Sequence, residues 1–244
     1  MLKIAVLSDI HGNAVALQAV VHDMLEEGVR SSIFLGDLIA KGPQPLEVLE
    51  LLSAVRPLGW ILGNTDLWLK ANDAASRERK QMITRSRLYM EQWLSAGDIH
   101  RLLHHPERLS LPIGQISACC LHGSPRDMAE AIMPDRSARL LDMMLSGVRE
   151  PVVLCGHSHL AFNIQTPQHI IFNPGSVGCP YDGDPNASYG IITYDSSDCT
   201  GSSLHCDIKR VSYCREQVLK IARQRKYPFY STYANMLRSA QKIE

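Results

Sequence analysis

Residues 2 to 13 read Leu2-Lys3-Ile4-Ala5-Val6-Leu7-Ser8-Asp9-Ile10-His11-Gly12-Asn13. A short β-branched apolar run, Ile4 to Leu7, stops abruptly at polar residues and gives way to the amphipathic stretch Ala14 to Leu25. The pattern repeats: Ile33 to Leu35 reads as a strand, Leu46 to Val55 as a helix, and Trp60 to Leu62 as a strand. This βαβ alternation predicts parallel strands in the middle of an α/β fold with helices covering them. Ligands then bind where the strands' carboxyl ends open into loops.

Further along, Leu67 to His105 is polar, Arg-rich and helix-periodic, anchored by Trp68, Leu69, Leu88, Trp93, Leu94, Leu102 and Leu103. It predicts two or three helices, either as an insertion or cap at 67–105 or as ordinary crossover helices. Short strands follow near Ile116 to Leu121, Val152 to Cys155, Ala161 to Gln165, His169 to Phe172, Gly190 to Tyr194 and Leu204 to Lys209. The loop from Asn173 to Ala187 is dense in Gly, Pro, Asp and Asn, and the tail from Glu216 to Arg238 is helical and basic.

The chemistry sits where the apolar runs stop. Ser8-Asp9-Ile10-His11, Gly36-Asp37, Gly63-Asn64-Thr65-Asp66, Leu121-His122-Gly123 and Gly156-His157-Ser158-His159 all end such runs. Asp9 and His11, two apart, share a side if the backbone stays extended. Glycine beside each cluster lets the chain turn sharply, so that side chains from separate loops converge. Asp9, His11, Asp37, Asn64, His122, His157 and His159 supply mixed nitrogen and oxygen ligands, too many for one tetrahedral ion and suited to two.

These motifs stand in the order found in calcineurin-like metallophosphoesterases, and the chain resembles the compact bacterial and archaeal members of that superfamily. The resemblance implies a two-layer mixed β sandwich flanked by helices, an αββα arrangement, as a single domain over 1–244. It implies a binuclear metal centre in which Asp9, His11 and His159 hold one ion, Asn64, His122 and His157 hold the other, and Asp37 bridges them. The ions would be divalent, manganese first, with iron, zinc or nickel as alternatives. The implied activity is hydrolysis of phosphodiester or phosphoanhydride bonds by a metal-bridging hydroxide, with Asp37, Asn64 and His122 catalytic. Asn64 and Lys41 would bind substrate, Lys41 standing where related enzymes carry a phosphate-contacting arginine. A phosphoprotein phosphatase and a non-catalytic scaffold retaining the fold are the alternative readings.

One position departs from the pattern. Many members have histidine between the Asn and the acidic residue, as proton donor to the leaving oxygen; here it is Thr65. A hydroxyl is far too weak an acid for that task, so the expectation is a preference for leaving groups that need little protonation. His100, His104 and His105 are candidates to replace the acid, and Asp66 either supports the site or caps a helix starting near Leu67. Tyr181, Asp182 and Asp184 read as a surface loop, with a pocket wall as the alternative. Lys220, Arg223, Arg225 and Lys226 read as a solvated helix face.

Composition bounds the rest. With 45% hydrophobic and 20% charged residues among 244, disordered and fibrous classes are set aside. Twenty-five basic residues balance twenty-five acidic ones, so no global field favours nucleic acid or anionic lipid, and a small phosphorylated substrate, a nucleotide included, is the expected partner. No apolar run nears the roughly eighteen residues of a membrane span, and the short apolar start lacks a signal-peptide core. A cytoplasmic location is the default. Oligomeric state is not readable from one chain. The seven cysteines include no Cys-x-x-Cys pair, and Cys119, Cys120, Cys155 and Cys179 read as small buried hydrophobes.

Overall fold

The computed structural model describes residues 1–70, 77–196 and 204–243. β1 (Leu2–Leu7), β2 (Ser31–Phe34) and β3 (Arg56–Trp60) run parallel, with α1 (Ala14–Glu26) and α2 (Pro45–Ala54) as the crossovers. The helix starts follow from local chemistry. Asn13 Oδ1 accepts the Ala16 N–H at 3.1 Å at the head of α1, and α2 begins on Pro45, whose fixed φ suits a first helical residue.

The first sheet has the order β10-β9-β1-β2-β3, with β9 (Ala187–Tyr194) antiparallel to β1 and β10 (Leu204–Val211) antiparallel to β9. The second contains β4 (Arg108–Ile113), β5 (Ile116–Leu121), β6 (Val152–Leu154), β7 (Ala161–Gln165) and β8 (Ile170–Pro174), in the order β4-β5-β6-β8-β7. β5, β6 and β8 are parallel there, and the two edge strands are antiparallel.

Period-two alternation assigns each face to a layer. Ile4 and Val6 of β1 join Ala118 and Cys120 of β5 in a core between the sheets. Ala5 and Leu7 point the other way, onto a core with Leu17 and Val20 of α1 and Val48 and Leu52 of α2. Cys119 and Leu121 pack outward against Leu141 and Met144 of α5 (Ala138–Met144). This is the expected two-layer sandwich flanked by helices. Cys119, Cys120, Cys155 and Cys179 are buried free thiols.

Several boundaries differ from the sequence reading. β4 and α5 were not anticipated: β4 alternates exposed Arg108, Ser110 and Pro112 with inward Leu109, Leu111 and Ile113 but carries a proline, a residue that argues against a strand, and α5 is only seven residues long. Of the stretch Trp60 to Leu62 only Trp60 lies in β3, which starts earlier, at Arg56. The 67–105 stretch holds a 3-10 turn (Asp66–Leu69), α3 (Arg77–Met90) and α4 (Ala96–Leu103), in line with two or three helices.

The basic tail is two helices, α6 (Arg215–Gln224) and α7 (Tyr230–Ser239), broken where Lys226 takes φ +51° and Pro228 follows. It is not simply a solvated face. The Arg225 guanidinium pairs with Glu47, donates to the Pro43 carbonyl at 3.0 Å and lies 3.9 Å from the centroid of the Trp93 ring. Tyr227 and Tyr233 pack with Tyr89 of α3. Among the described residues, no helix is long and apolar enough to cross a membrane.

Candidate metal centre

The loops after β1, β2, β3, β5 and β6 meet at one end of the sandwich. Their backbones are stitched directly: Asp9 N–H donates to Gly36 O (3.1 Å), His11 N–H to Asp37 O (3.0 Å), Gly156 N–H to His122 O (2.8 Å) and His157 N–H to Asp9 Oδ2 (3.0 Å). The expectation that Asp9 and His11 share a side through extended backbone is corrected. Both are left-handed, at φ +53° and +47°, and so are Asp37 (+54°), His157 (+65°) and His159 (+58°).

Each such non-glycine residue costs about 1 kcal/mol, so the strain is concentrated at the side chains that converge. The inter-loop hydrogen bonds hold it. The glycines do a second job, by letting carboxylates approach backbone. A Cβ on Gly63 would sit 2.2 Å from Asp37 Oδ1, and one on Gly156 would sit 2.9 Å from Asp9 Oδ2.

Two donor groups result: Asp9, His11 and His159, all buried, and Asp37, His122 and His157, of which His157 is partly exposed. Within each group the ligand atoms lie within 4.8 Å of one another. Asn64 Oδ1 joins the second group, 3.2 Å from His122 Nε2. Asp37 stands between them, Oδ2 3.7 Å from His11 Nε2 and Oδ1 3.4 Å from His122 Nε2. The site thus brings together all seven side chains singled out in the sequence.

Backbone carbonyls settle which histidine nitrogens face inward. His11 Nδ1 donates to Ala40 O (3.0 Å), His122 Nδ1 to Leu35 O (2.7 Å) and His159 Nδ1 to Cys179 O. A carbonyl only accepts, so each Nδ1 carries hydrogen and each Nε2 presents a lone pair to the centre. The inward-facing atoms are then almost all acceptors. His11 Nε2 and His159 Nε2 lie 3.1 Å apart, and Asp9 Oδ1, 3.2 Å from His159 Nε2, is buried without a hydrogen-bond donor. Such a set fits a cation.

Without an ion, the carboxylates instead draw protons onto two of these inward nitrogens, protons that a bound cation would displace. Burial opposes charge on His122 and His159, yet the Asp37 and Asp9 carboxylates outweigh it and raise them to about 9 and about 10. His11, buried and next to Lys41 and His159, falls to about 3. Asp9 and Asp37 are held well below the usual carboxylate range despite burial, chiefly by His159 and His122 respectively.

Asp66 has a role the sequence did not show. Its Oδ2 accepts the Asp37 (2.9 Å) and Gly63 (3.0 Å) amides, and its Oδ1 accepts the Leu38 amide (2.9 Å). It does not cap the short turn that begins there. It is a strut tying the Asp37 loop to the Asn64 loop. Burial and the neighbouring Asp37 raise its pKa to about 7, against the pull of the amides.

Thr65 is fully buried and its amide donates to Asp37 Oδ1 (2.8 Å), so its hydroxyl does not face a substrate. The candidate replacement acids are elsewhere. His100 and His104 are exposed and stack on each other, and His105 stacks on Trp60 at 4.3 Å.

A cavity of about 340 Å³ opens beside the centre, with Asn64, Lys41 and Tyr181 on its wall. The Tyr181 ring lies parallel to that of His159 at 4.1 Å, which makes it a pocket wall rather than a plain surface residue; Asp182 instead pairs with Arg210. Asp184 is half-buried, accepts the Asn186 amide at 3.0 Å and lies 3.9 Å from Arg210 Nε.

A two-sheet sandwich whose strand-end loops turn two groups of buried acceptors towards one point is built to hold metal ions. Residues 2–197 match the calcineurin-like phosphoesterase superfamily domain, and the chain belongs to this superfamily, as a phosphoric ester hydrolase. It is 27% identical over 227 residues to the uncharacterized protein MJ0912 of Methanocaldococcus jannaschii, covering 86% of this chain and 87% of that one. With Phosphodiesterase YfcE of Escherichia coli it shares 26% over 204 residues, covering 80% and 89%.

Among solved structures, a metallophosphoesterase from Sphaerobacter thermophilus superposes with TM-score 0.75 at 26% identity, over 98% of this chain and 99% of that chain. The hypothetical protein PH1004 of Pyrococcus horikoshii shares the fold, with TM-score 0.83 at 21% identity over the full length of both. Superfamily and donor groups together support divalent metal ions.

Proposed function

We propose that the protein is a binuclear metal-dependent phosphoesterase cleaving phosphodiester or phosphoanhydride bonds. The observation that carries this reading is Asp37, whose two oxygens face one histidine of each donor group. Asp9, His11 and His159 would hold one ion and Asn64, His122 and His157 the other, with Asp37 shared; manganese is the first candidate. Bound divalent ions supply an acidified water and neutralise developing charge on phosphoryl oxygens.

The protein's own groups do the rest. Asn64, on the cavity wall and in contact with His122, orients a phosphoryl oxygen, and Lys41 on the same wall offers a point charge to it. With Thr65 buried, no side chain of the Asn64 loop protonates the leaving oxygen. Activated diesters and nucleotide anhydrides, which leave without that help, are the preferred substrates over alkyl monoesters. A cavity of about 340 Å³ also suits a small molecule better than a phosphoprotein segment.

The test compares bis(p-nitrophenyl) phosphate with p-nitrophenyl phosphate, using chelator-stripped protein with and without manganese. Cleavage should require the metal and favour the diester by about ten-fold or more. Metal-independent cleavage, or a monoester turned over as fast as the diester, overturns the reading.

Lys41→Ala should raise KM for the diester about ten-fold, the worth of one charge-assisted contact of about 1.4 kcal/mol. kcat should change less. An unchanged KM removes Lys41 from the site.

A further inference from the structure

The cavity beside the centre has a wall that the chemistry of phosphate does not explain. Trp68, Tyr181, Tyr227, Phe229 and Met236 line it, so its surface is mostly aromatic and apolar. A phosphoryl group and two cations need none of these. These five side chains come from three distant parts of the chain: Trp68 from the turn after Asn64, Tyr181 from the loop after β8, and Tyr227, Phe229 and Met236 from the α6–α7 tail; Met82 of α3 adds to the wall.

That tail lies beyond residues 2–197, the span shared with the superfamily domain. Its docking is built in. Arg225 pairs with Glu47 of α2, and the Arg85 side chain of α3 donates to Pro228 O (3.2 Å) and sits 5.0 Å from the Phe229 ring centroid.

We infer that this aromatic cavity is a subsite for a planar, nucleobase-sized ring, so that the substrates are nucleotide-derived esters or anhydrides. The inference rests on the metal-centre reading above. Continuity supports it: Asn64 touches His122 and lines the cavity, and Tyr181 stacks on His159 and lines it too. A substrate with its phosphorus at the donor groups therefore extends its organic part between these side chains.

Size supports it as well, since about 340 Å³ is at the small end of ligand pockets and accepts one ring system rather than a peptide. Aromatic faces hold a flat π-system better than an alkyl chain of equal area. Lys41, with Nζ 5.6 Å from the Trp68 ring centroid, sits where the ring site meets the phosphate site.

Three diesters with one leaving group test this: methyl, n-hexyl and thymidine-5′ 4-nitrophenyl phosphate, each with manganese-loaded protein. In all three, water's oxygen forms the new P–O bond and 4-nitrophenolate departs with the electron pair of the broken one, so only the retained group differs. The thymidine ester should show a KM about ten-fold or more below that of the methyl ester, the size of one base stacked on an aromatic face. Phe229→Ala and Trp68→Leu should each pull that ratio towards one.

Equal KM values, a hexyl ester bound as tightly as the thymidine ester, or a ratio untouched by both substitutions would overturn the subsite while leaving the phosphoesterase reading intact. Failure to cleave any of the three would overturn that reading and the subsite with it.

Discussion

Asp37→Asn should abolish stoichiometric binding of two ions and lower diester turnover by more than about 100-fold, beyond what the loss of an indirect partner of a ligand costs. The substitution removes charge and little else. Asn retains an oxygen to accept the Thr65 amide, now bonded to Oδ1 at 2.8 Å, so the loop keeps its shape. What is lost is a carboxylate set between His11 and His122, at 3.7 and 3.4 Å, and with it the attraction shared by both donor groups.

Metal content after dialysis, measured by elemental analysis beside turnover and the circular-dichroism spectrum, checks this. Two ions tightly held at full activity would refute the shared role. Loss of a single ion would place Asp37 in one group alone.

Asp66→Ala should destabilise the fold by about 3 kcal/mol, lowering the melting temperature by about 9 °C for a chain of this size. Three buried amides, those of Asp37, Leu38 and Gly63, lose their acceptor at once. Leaving one such donor unpaired costs about 1–3 kcal/mol. Part of this is offset, because the variant no longer buries a carboxylate next to Asp37, the combination that raises the Asp66 pKa to about 7.

Asp37 and Asn64 lie on the two loops that Asp66 ties together, so ion affinity should fall as well. Urea denaturation and metal titration read the two effects separately. An unchanged urea midpoint would mean that water replaces the strut.

Some of this was legible from residues alone because it depends on local order. Parallel βαβ alternation is a statement about neighbours along the chain, and Ile4 to Leu7, Ile33 to Leu35 and the helices between them carry it without ambiguity. The metal-type residues were also legible, since each ends an apolar run beside a glycine, where a strand opens into a loop.

Other features depend on groups that are distant in sequence. Asp66 carries no local mark of a strut, because two of its three amides, those of Asp37 and Leu38, are 29 and 28 residues away. Left-handed backbone at Asp9, His11 and Asp37 was invisible for the same reason: bonds between loops hold it against local preference. The basic tail read as solvated because its helical period shows charge, whereas Glu47, Pro43 and Trp93 are what Arg225 meets.

The amino-acid order by itself determined the parallel βαβ alternation and the identity of the seven converging side chains, since run length, strand-end position and residue type suffice for both, while the two-layer sandwich followed from the resemblance those ordered motifs carry. Tertiary structure alone decided the inward-facing nitrogens, the Asp66 strut and the aromatic cavity closed by the tail. Each of these is a contact between segments that only burial of the shared cores brings within hydrogen-bonding or van der Waals distance.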